Sequence, residues 1–181
     1  MKRRLFLIRH ADAAEGRDDA VRPLSHKGEE TVRRVAFALR ASGEFKADRI
    51  WHSPLLRARQ TARLLAEGVA LDLASLEAVR GMLPSDDPRW LAAAVDKGRK
   101  RLALVGHEPH LGLLAGLLVF GEAIPEAFKL RKGAVLCLDR EEAPAKDRRG
   151  VQRWRVRWLL DPELLAGGAM PWRVPARRSD D

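Results

Sequence analysis

Apolar positions along the chain follow two rhythms. Short unbroken apolar runs alternate with longer stretches in which apolar residues return every three or four positions. The first run, Leu5-Phe6-Leu7-Ile8, stops abruptly at Arg9-His10. Four to eight apolar residues closed by a polar pair read as a strand buried on both faces, as in a parallel sheet. Residues 11–24 have no period and carry turn formers, so they predict a surface loop. From Ser25 to about Ala41, the residues Val32, Val35, Ala36 and Leu39 recur at helical spacing, and Ser42-Gly43 supplies a stop. Residues 48–52, DRIWH, predict a second strand. Ser53-Pro54 then reads as a helix start, with serine as N-cap and proline at the first helical position. That helix runs to about Ala66, with Gly68 ending it.

The alternation continues through the second half. Residues 69–73 predict a third strand, followed by a loop through Pro84-Ser85-Asp86-Asp87. Asp87-Pro88 repeats the cap-and-proline start for a helix to about Lys97. Residues 101–105, RLALV, predict another buried strand, and an apolar helix runs from about Pro109 to Val119. Residues 133–139 and 151–160 predict two more strands. The later one alternates apolar residues with arginine after Trp154, as an edge strand with one exposed face does. The charged segment 140–150 reads as a linker, and the end of the chain, from Pro171 and over 172–181, as a mobile tail. Strands alternating with helices predict a three-layer α/β/α sandwich with a mainly parallel sheet, formed as one domain over residues 1–181.

Composition narrows the class. With 46% apolar and 33% charged residues among 181, the chain is globular rather than disordered. No apolar run reaches the length of a membrane span, so no membrane partner is expected. The four strongly apolar residues after Met-Lys-Arg-Arg are too few for a signal-peptide core. The single cysteine, Cys137, excludes an internal disulfide and an all-cysteine metal cage, and fits a buried residue in a reducing cytoplasm. The net charge of +9 is spread along the chain with a modest thickening from Lys146 to Arg157. Without a basic arm or a nucleic-acid-binding motif, a nucleic-acid partner is not expected. The charge reads first as a solvated arginine-rich surface and second as a basic rim around a site for phosphorylated ligands.

Candidate chemistry gathers where the predicted strands end. Ile8-Arg9-His10 and Val105-Gly106-His107 end alike, and a third strand ends at Trp51-His52, just before a helix carrying Arg57. In a parallel sheet these ends share one edge, the edge at which ligands bind in open α/β folds. Two arginines with two histidines make a poor metal site, since arginine repels a cation and no carboxylate stands at ligand spacing. No Gly-x-Ser-x-Gly elbow supports a serine nucleophile. The set suits a phosphoryl group: arginine forks match its oxygens, fixed cations stabilise its charge in transfer, and a neutral imidazole can hold it covalently.

These residues also carry a resemblance. LIRHADA (7–13) resembles the RHG-type signature of the histidine phosphatase superfamily, the phosphoglycerate mutase-like fold. SPLLRARQTA (53–62) resembles that family's Ser-Pro-x-x-Arg-Ala-x-x-Thr-Ala motif, and LVGHEPHLG (104–112) its third motif. The small size, RHADA in place of RHG, the stretch 19–28 and KGAVLCLD (132–139) are similar to the SixA-type phosphohistidine phosphatases. The resemblance implies His10 as the nucleophile that becomes phosphorylated, with Arg9, Arg57 and His107 binding the phosphoryl oxygens. Arg22 is a candidate substrate contact at the rim. Ser53 is read as the helix cap, His26 as surface, His52 as a strand end, and His110 as structural.

The family's mutase and sugar-phosphatase branches supply a general acid from the region after the third strand. Here that region, LEAVRGMLPSDD (76–87), has Glu77 as its only glutamate, and Met82-Leu83-Pro84 fill the expected spot. Asp12, Asp86, Asp87 and Glu108 are other candidates, each also explained as a cap or surface acid. An alkoxide leaving group gains from a positioned acid, whereas an imidazole needs much less help. The expected activity is therefore a phosphatase working through phospho-His10 without metal or other cofactor. Its substrate would be a phosphohistidine-bearing protein or, alternatively, a small phosphorylated metabolite. A non-catalytic polyanion-binding module is the competing class.

Overall fold

The computed structural model describes residues 2–98, 101–141 and 153–165. In chain order the elements are β1 (Lys2–Arg9), α1 (His26–Ser42), β2 (Arg49–His52), α2 (Leu56–Gly68), β3 (Leu76–Ala78), α3 (Arg89–Lys97), β4 (Leu102–Gly106), α4 (His110–Phe120), β5 (Val135–Glu141) and β6 (Arg155–Leu160). Short 3-10 turns lie at Asp19–Val21, Leu73–Ser75 and Pro162–Leu165.

The unbroken apolar run of β1 is explained by the helix layers on both sides of it. Successive strand side chains point to opposite faces. Phe6 and Ile8 pack with Val32, Val35, Ala36 and Leu39 of α1 and with Ala58, Ala62 and Leu65 of α2. Leu5 and Leu7 pack on the other face with Leu91 and Val95 of α3 and Leu111, Leu114 and Leu118 of α4. All four β1 side chains are excluded from solvent, which contributes roughly 1.5–3 kcal/mol each before entropic costs. The buried Cys137 belongs to the first cluster, and burial pushes its thiol up to about 12, so it behaves as a small apolar residue.

The six strands form one sheet in the order β3-β2-β4-β1-β5-β6. Pairings β2–β3, β2–β4 and β1–β4 are parallel. The three-layer α/β/α expectation stands, but the sheet is mixed: β5 runs antiparallel to both β1 and β6. β6 is an edge strand with exposed Arg155, Val156 and Arg157, as its alternation suggested.

Three local expectations fail. The apolar run 69–73 is not a strand, because it closes α2 instead: Val69 and Leu71 donate backbone N–H bonds to Leu65 and Ala66. The chain then turns at Leu73–Ser75, capped by the Asp72 carboxylate, and pairs only over Leu76–Ala78. Ser53-Pro54 does not open a helix directly either. The helix starts at Leu56, and no side chain caps it. In contrast, Ser25 caps α1 by accepting the Gly28 N–H at 3.0 Å, and Asp87 accepts the Arg89 N–H at the start of α3. The predicted tail, most of the predicted linker, and the start of the 151–160 strand lie outside the described residues. Arg140 and Glu141, placed in that linker, instead belong to β5.

Candidate active site

The sheet register brings the motif residues to one edge. Arg9 is paired with Gly106 and His52 with Val105, so β1, β2 and β4 end side by side. The last carbonyls of β4 then anchor both neighbours: Gly106 O accepts the His10 N–H at 2.9 Å, and Val105 O accepts the Ser53 N–H at 3.0 Å. Gly133 adopts a left-handed conformation (φ +81°), open to glycine without strain, from which its N–H lies on the carbonyls of Arg9 and His10.

His10 is 7% exposed. Its Nδ1 lies 2.7 Å from the Ala11 carbonyl, which only accepts, so Nδ1 carries the proton and the neutral ring keeps its lone pair on Nε2. Arg57 Nε donates to that Nε2 at 3.3 Å. Burial brings the His10 imidazole down to about 4, outweighing the Ala11 bond, and the charges of Arg57, Arg9 and Lys132 act in the same direction as burial. The His107 ring lies 4.9 Å from that of His10, centroid to centroid. Burial first, then His10 and Arg57, bring it down to about 3. Its Nε2 is hydrogen-bonded to Ser53 Oγ at 2.8 Å, while its Nδ1 is buried without a partner. Two neutral imidazoles thus stand beside a buried guanidinium.

Arg57, only 6% exposed, spends its two terminal nitrogens on Asp19, one on the backbone carbonyl (2.7 Å) and one on the carboxylate (3.0 Å). Arg22 binds the other oxygen of the same carboxylate at 3.1 Å. Arg9 donates to the Leu130 carbonyl at 2.8 Å, and its Nε is buried without a partner. Arg9 lies between two cavities, one of about 600 Å³ toward Lys27 and Lys132 and one of about 530 Å³ toward Glu108 and Phe128.

The model of the histidine phosphatase superfamily (branch 1) matches residues 5–82, which include Arg9, His10 and Arg57. An uncharacterised protein of Picosynechococcus is 37% identical over 183 aligned residues, covering 94% of this chain and 99% of its own. The structure of the protein histidine phosphatase SixA complexed with tungstate is 27% identical. It has a TM-score of 0.71, over 90% of this chain and 99% of that one. The chain belongs to the histidine phosphatase superfamily. A mycobacterial glucosyl-3-phosphoglycerate phosphatase (16% identity, TM-score 0.63, covering 87% of this chain and 98% of that one) shares the fold. The superfamily includes phosphatases such as SixA, and the architecture here is its phosphoglycerate mutase-like one.

The carboxylates considered as proton donors are all occupied by other bonds. Asp12 accepts from Lys132 at 2.6 Å and from Ser25 Oγ at 2.8 Å, and these bonds hold it below the usual carboxylate range. Glu77, on the edge strand β3, accepts from Trp51 Nε1 of β2, and Asp86 accepts the Leu83 N–H. Asp87 is held low by Arg89. Burial raises Glu108, yet its two oxygens accept the Gly112 and Leu130 N–H groups. His26 is exposed, and His52 is buried with Nδ1 on the Ser53 carbonyl. His110 is fully buried in the first turn of α4.

Three residues to which the sequence assigned no role hold this candidate site together. Asp19 binds both Arg57 and Arg22. Thr61 accepts the Ala11 N–H at 3.2 Å and donates to the Arg57 carbonyl at 2.8 Å, tying α2 to the backbone just past His10. Gln60 holds the end of the same loop by accepting the Leu24 N–H. Helical spacing supplied the signal for the last two, since Arg57, Gln60 and Thr61 lie on one face of α2. Ser53, read as a cap, instead bonds His107.

Proposed function

We propose that this protein is a phosphohistidine phosphatase in which His10 is the nucleophile and Arg9, Arg57 and His107 hold the transferring phosphoryl. The observation that carries the reading is the state of His10: neutral, anchored through Nδ1, and presenting the Nε2 lone pair beside Arg57. In the first step Nε2 attacks phosphorus, the N–P bond to His10 forms, and the bond to the substrate's nitrogen breaks. That nitrogen takes its proton from solvent. In the second step water attacks phosphorus, the His10–phosphorus bond breaks, and inorganic phosphate leaves.

The arginines stabilise charge that is largest in the transition state. A phosphoryl oxygen displacing Asp19 from Arg57 would also give the unpartnered Arg9 Nε and His107 Nδ1 bonding partners. Arg22, joined to Arg57 through Asp19, would meet the substrate at the rim. The carboxylates described above all carry other bonds, which favours a leaving group that needs little acid help, as imidazole does. The similarity to SixA points the same way. The donor set, rich in arginine, favours action without a metal ion. The reading includes one catalytic unit over residues 1–181 and, from the single buried Cys137, a cytoplasmic setting.

The test is a substrate panel of a phosphohistidine peptide, a sugar phosphate and a nucleotide, run on wild type and His10→Ala. Preferential release of phosphate from the peptide, loss of turnover in the variant, and an acid-labile label on wild-type His10 are expected. Retained turnover in His10→Ala would remove the nucleophile assignment. A preference for the sugar phosphate would move the substrate to the small-metabolite class, and polyanion binding without turnover would leave only a binding module.

A further inference from the structure

The 600 Å³ cleft on the α1 side of Arg9 has a lining out of balance in charge. It presents the cations Arg9, Lys27, Arg34, Arg131 and Lys132 against the carboxylates Asp12 and Glu163, a surplus of three. Among the described residues, the lining cations that are paired are Lys132, with Asp12, and Arg131, with Glu163 of the lining and with Asp161 just outside it. Lys27 and Arg34 have no ion-pair partner among the described residues. Arg34 makes one long contact to Thr31 Oγ1 (3.5 Å), and its Nε is buried without a partner. Lys27 and Arg34 lie seven residues apart, on one face of α1.

The cleft adjoins the catalytic group through Arg9, which lines it, and the charge of Lys132 is felt at His10. Cations clustered in a concave, partly desolvated wall attract an oxyanion more strongly than the same charges on an open surface.

We propose that this cleft is a second anion subsite, which takes a carboxylate or phosphate carried by the substrate beyond the scissile phosphoryl. Lys27 and Arg34 are its principal binding groups. The subsite stands on its own observations; joined to the phosphohistidine reading, it selects proteins with an acidic side chain next to the phosphorylated histidine. In a small substrate, a second phosphate would fill the same role.

The test compares wild type with Lys27→Ala/Arg34→Ala on phosphohistidine peptides with acidic or neutral flanks, on a sugar bisphosphate and its monophosphate, and on 4-nitrophenyl phosphate, which carries no second anionic group. An acidic flank or a second phosphate is expected to lower KM about tenfold in wild type. The double variant is expected to erase that gap while leaving 4-nitrophenyl phosphate turnover within about twofold. A gap seen only with the bisphosphate, with no peptide hydrolysed, would keep the subsite and refute the phosphohistidine substrate. The subsite is overturned if wild type shows no gap for either pair, or if the variant weakens all substrates equally. Urea unfolding of the variant, expected to match wild type, separates the second case from misfolding.

Discussion

Burial of two neutral imidazoles makes the stability of this protein depend on pH in a way that one substitution can expose. An unfolded chain gives His10 an ordinary affinity for protons near 6.5, whereas the folded chain holds it at about 4. Above about pH 7.5 the group is neutral in both states and contributes nothing to the difference. As pH falls below 6.5 the unfolded state takes up the proton and the folded state does not, so stability declines until about pH 4, where both are protonated. At pH 5 the unfolded state has gained about 1.5 pK units of protonation, or about 2 kcal/mol at about 1.4 kcal/mol per unit, and the folded state almost nothing. His107, held at about 3, pulls in the same direction and is partly coupled to His10. The assay is urea unfolding of wild type and His10→Gln at pH 8 and pH 5. Wild type is expected to lose about 2 kcal/mol more than the variant between the two. Equal losses would refute the placement of a buried, neutral His10. The same low affinity predicts that labelling of His10 by substrate varies little between pH 5.5 and 8.

Three further outcomes follow from contacts around the site. Ser53→Ala removes the hydroxyl on His107 Nε2 and is expected to lower kcat several-fold while leaving KM within about twofold, read from steady-state phosphate release. Thr61→Val, which keeps the shape and deletes both buried hydrogen bonds, is expected to cost about 1–3 kcal/mol in urea unfolding and to lower kcat as well. Asp19→Asn weakens the carboxylate that competes with substrate for Arg57 and Arg22. Its KM is expected to fall a few-fold, and a rise would show that Asp19 instead holds the arginines in working order.

The parts of the molecule legible in the sequence are those in which periodicity and function coincide. Leu5–Ile8 declared a strand covered on both faces, and the strand ends then placed Arg9, His10 and His107 on one edge. Arg57 joined them because α2 starts just after β2 on that same edge. What stayed hidden depends on contacts between residues distant in sequence. Asp19 sits in a loop without any period, and nothing local announces that it will meet Arg57, 38 residues away. Ser53-Pro54 carries a strong local helix signal, but the chain bends at Pro54 and Leu55 before the helix begins at Leu56, and the serine is drawn to His107. The run 69–73 has strand composition and is used to close a helix. Direction in the sheet was hidden for a similar reason, since β5 follows α4 through a long connection that fits either orientation.

That reversed strand divides the labour of the fold. Because β5 runs against β1, the connection leading into it, including Leu130, Arg131 and Lys132, arrives beside His10 rather than at the far edge of the sheet. The segment leaving β6 at Asp161 returns to the same place. In the proposed reaction, the phosphoryl-handling residues therefore come from the parallel strands and α2, while much of the wall a substrate would meet comes from connections flanking the antiparallel pair. Those connections can change in length and charge without moving the strand ends that carry His10 and His107. New substrates are therefore accessible by replacing the wall while the bond-making machinery stays fixed.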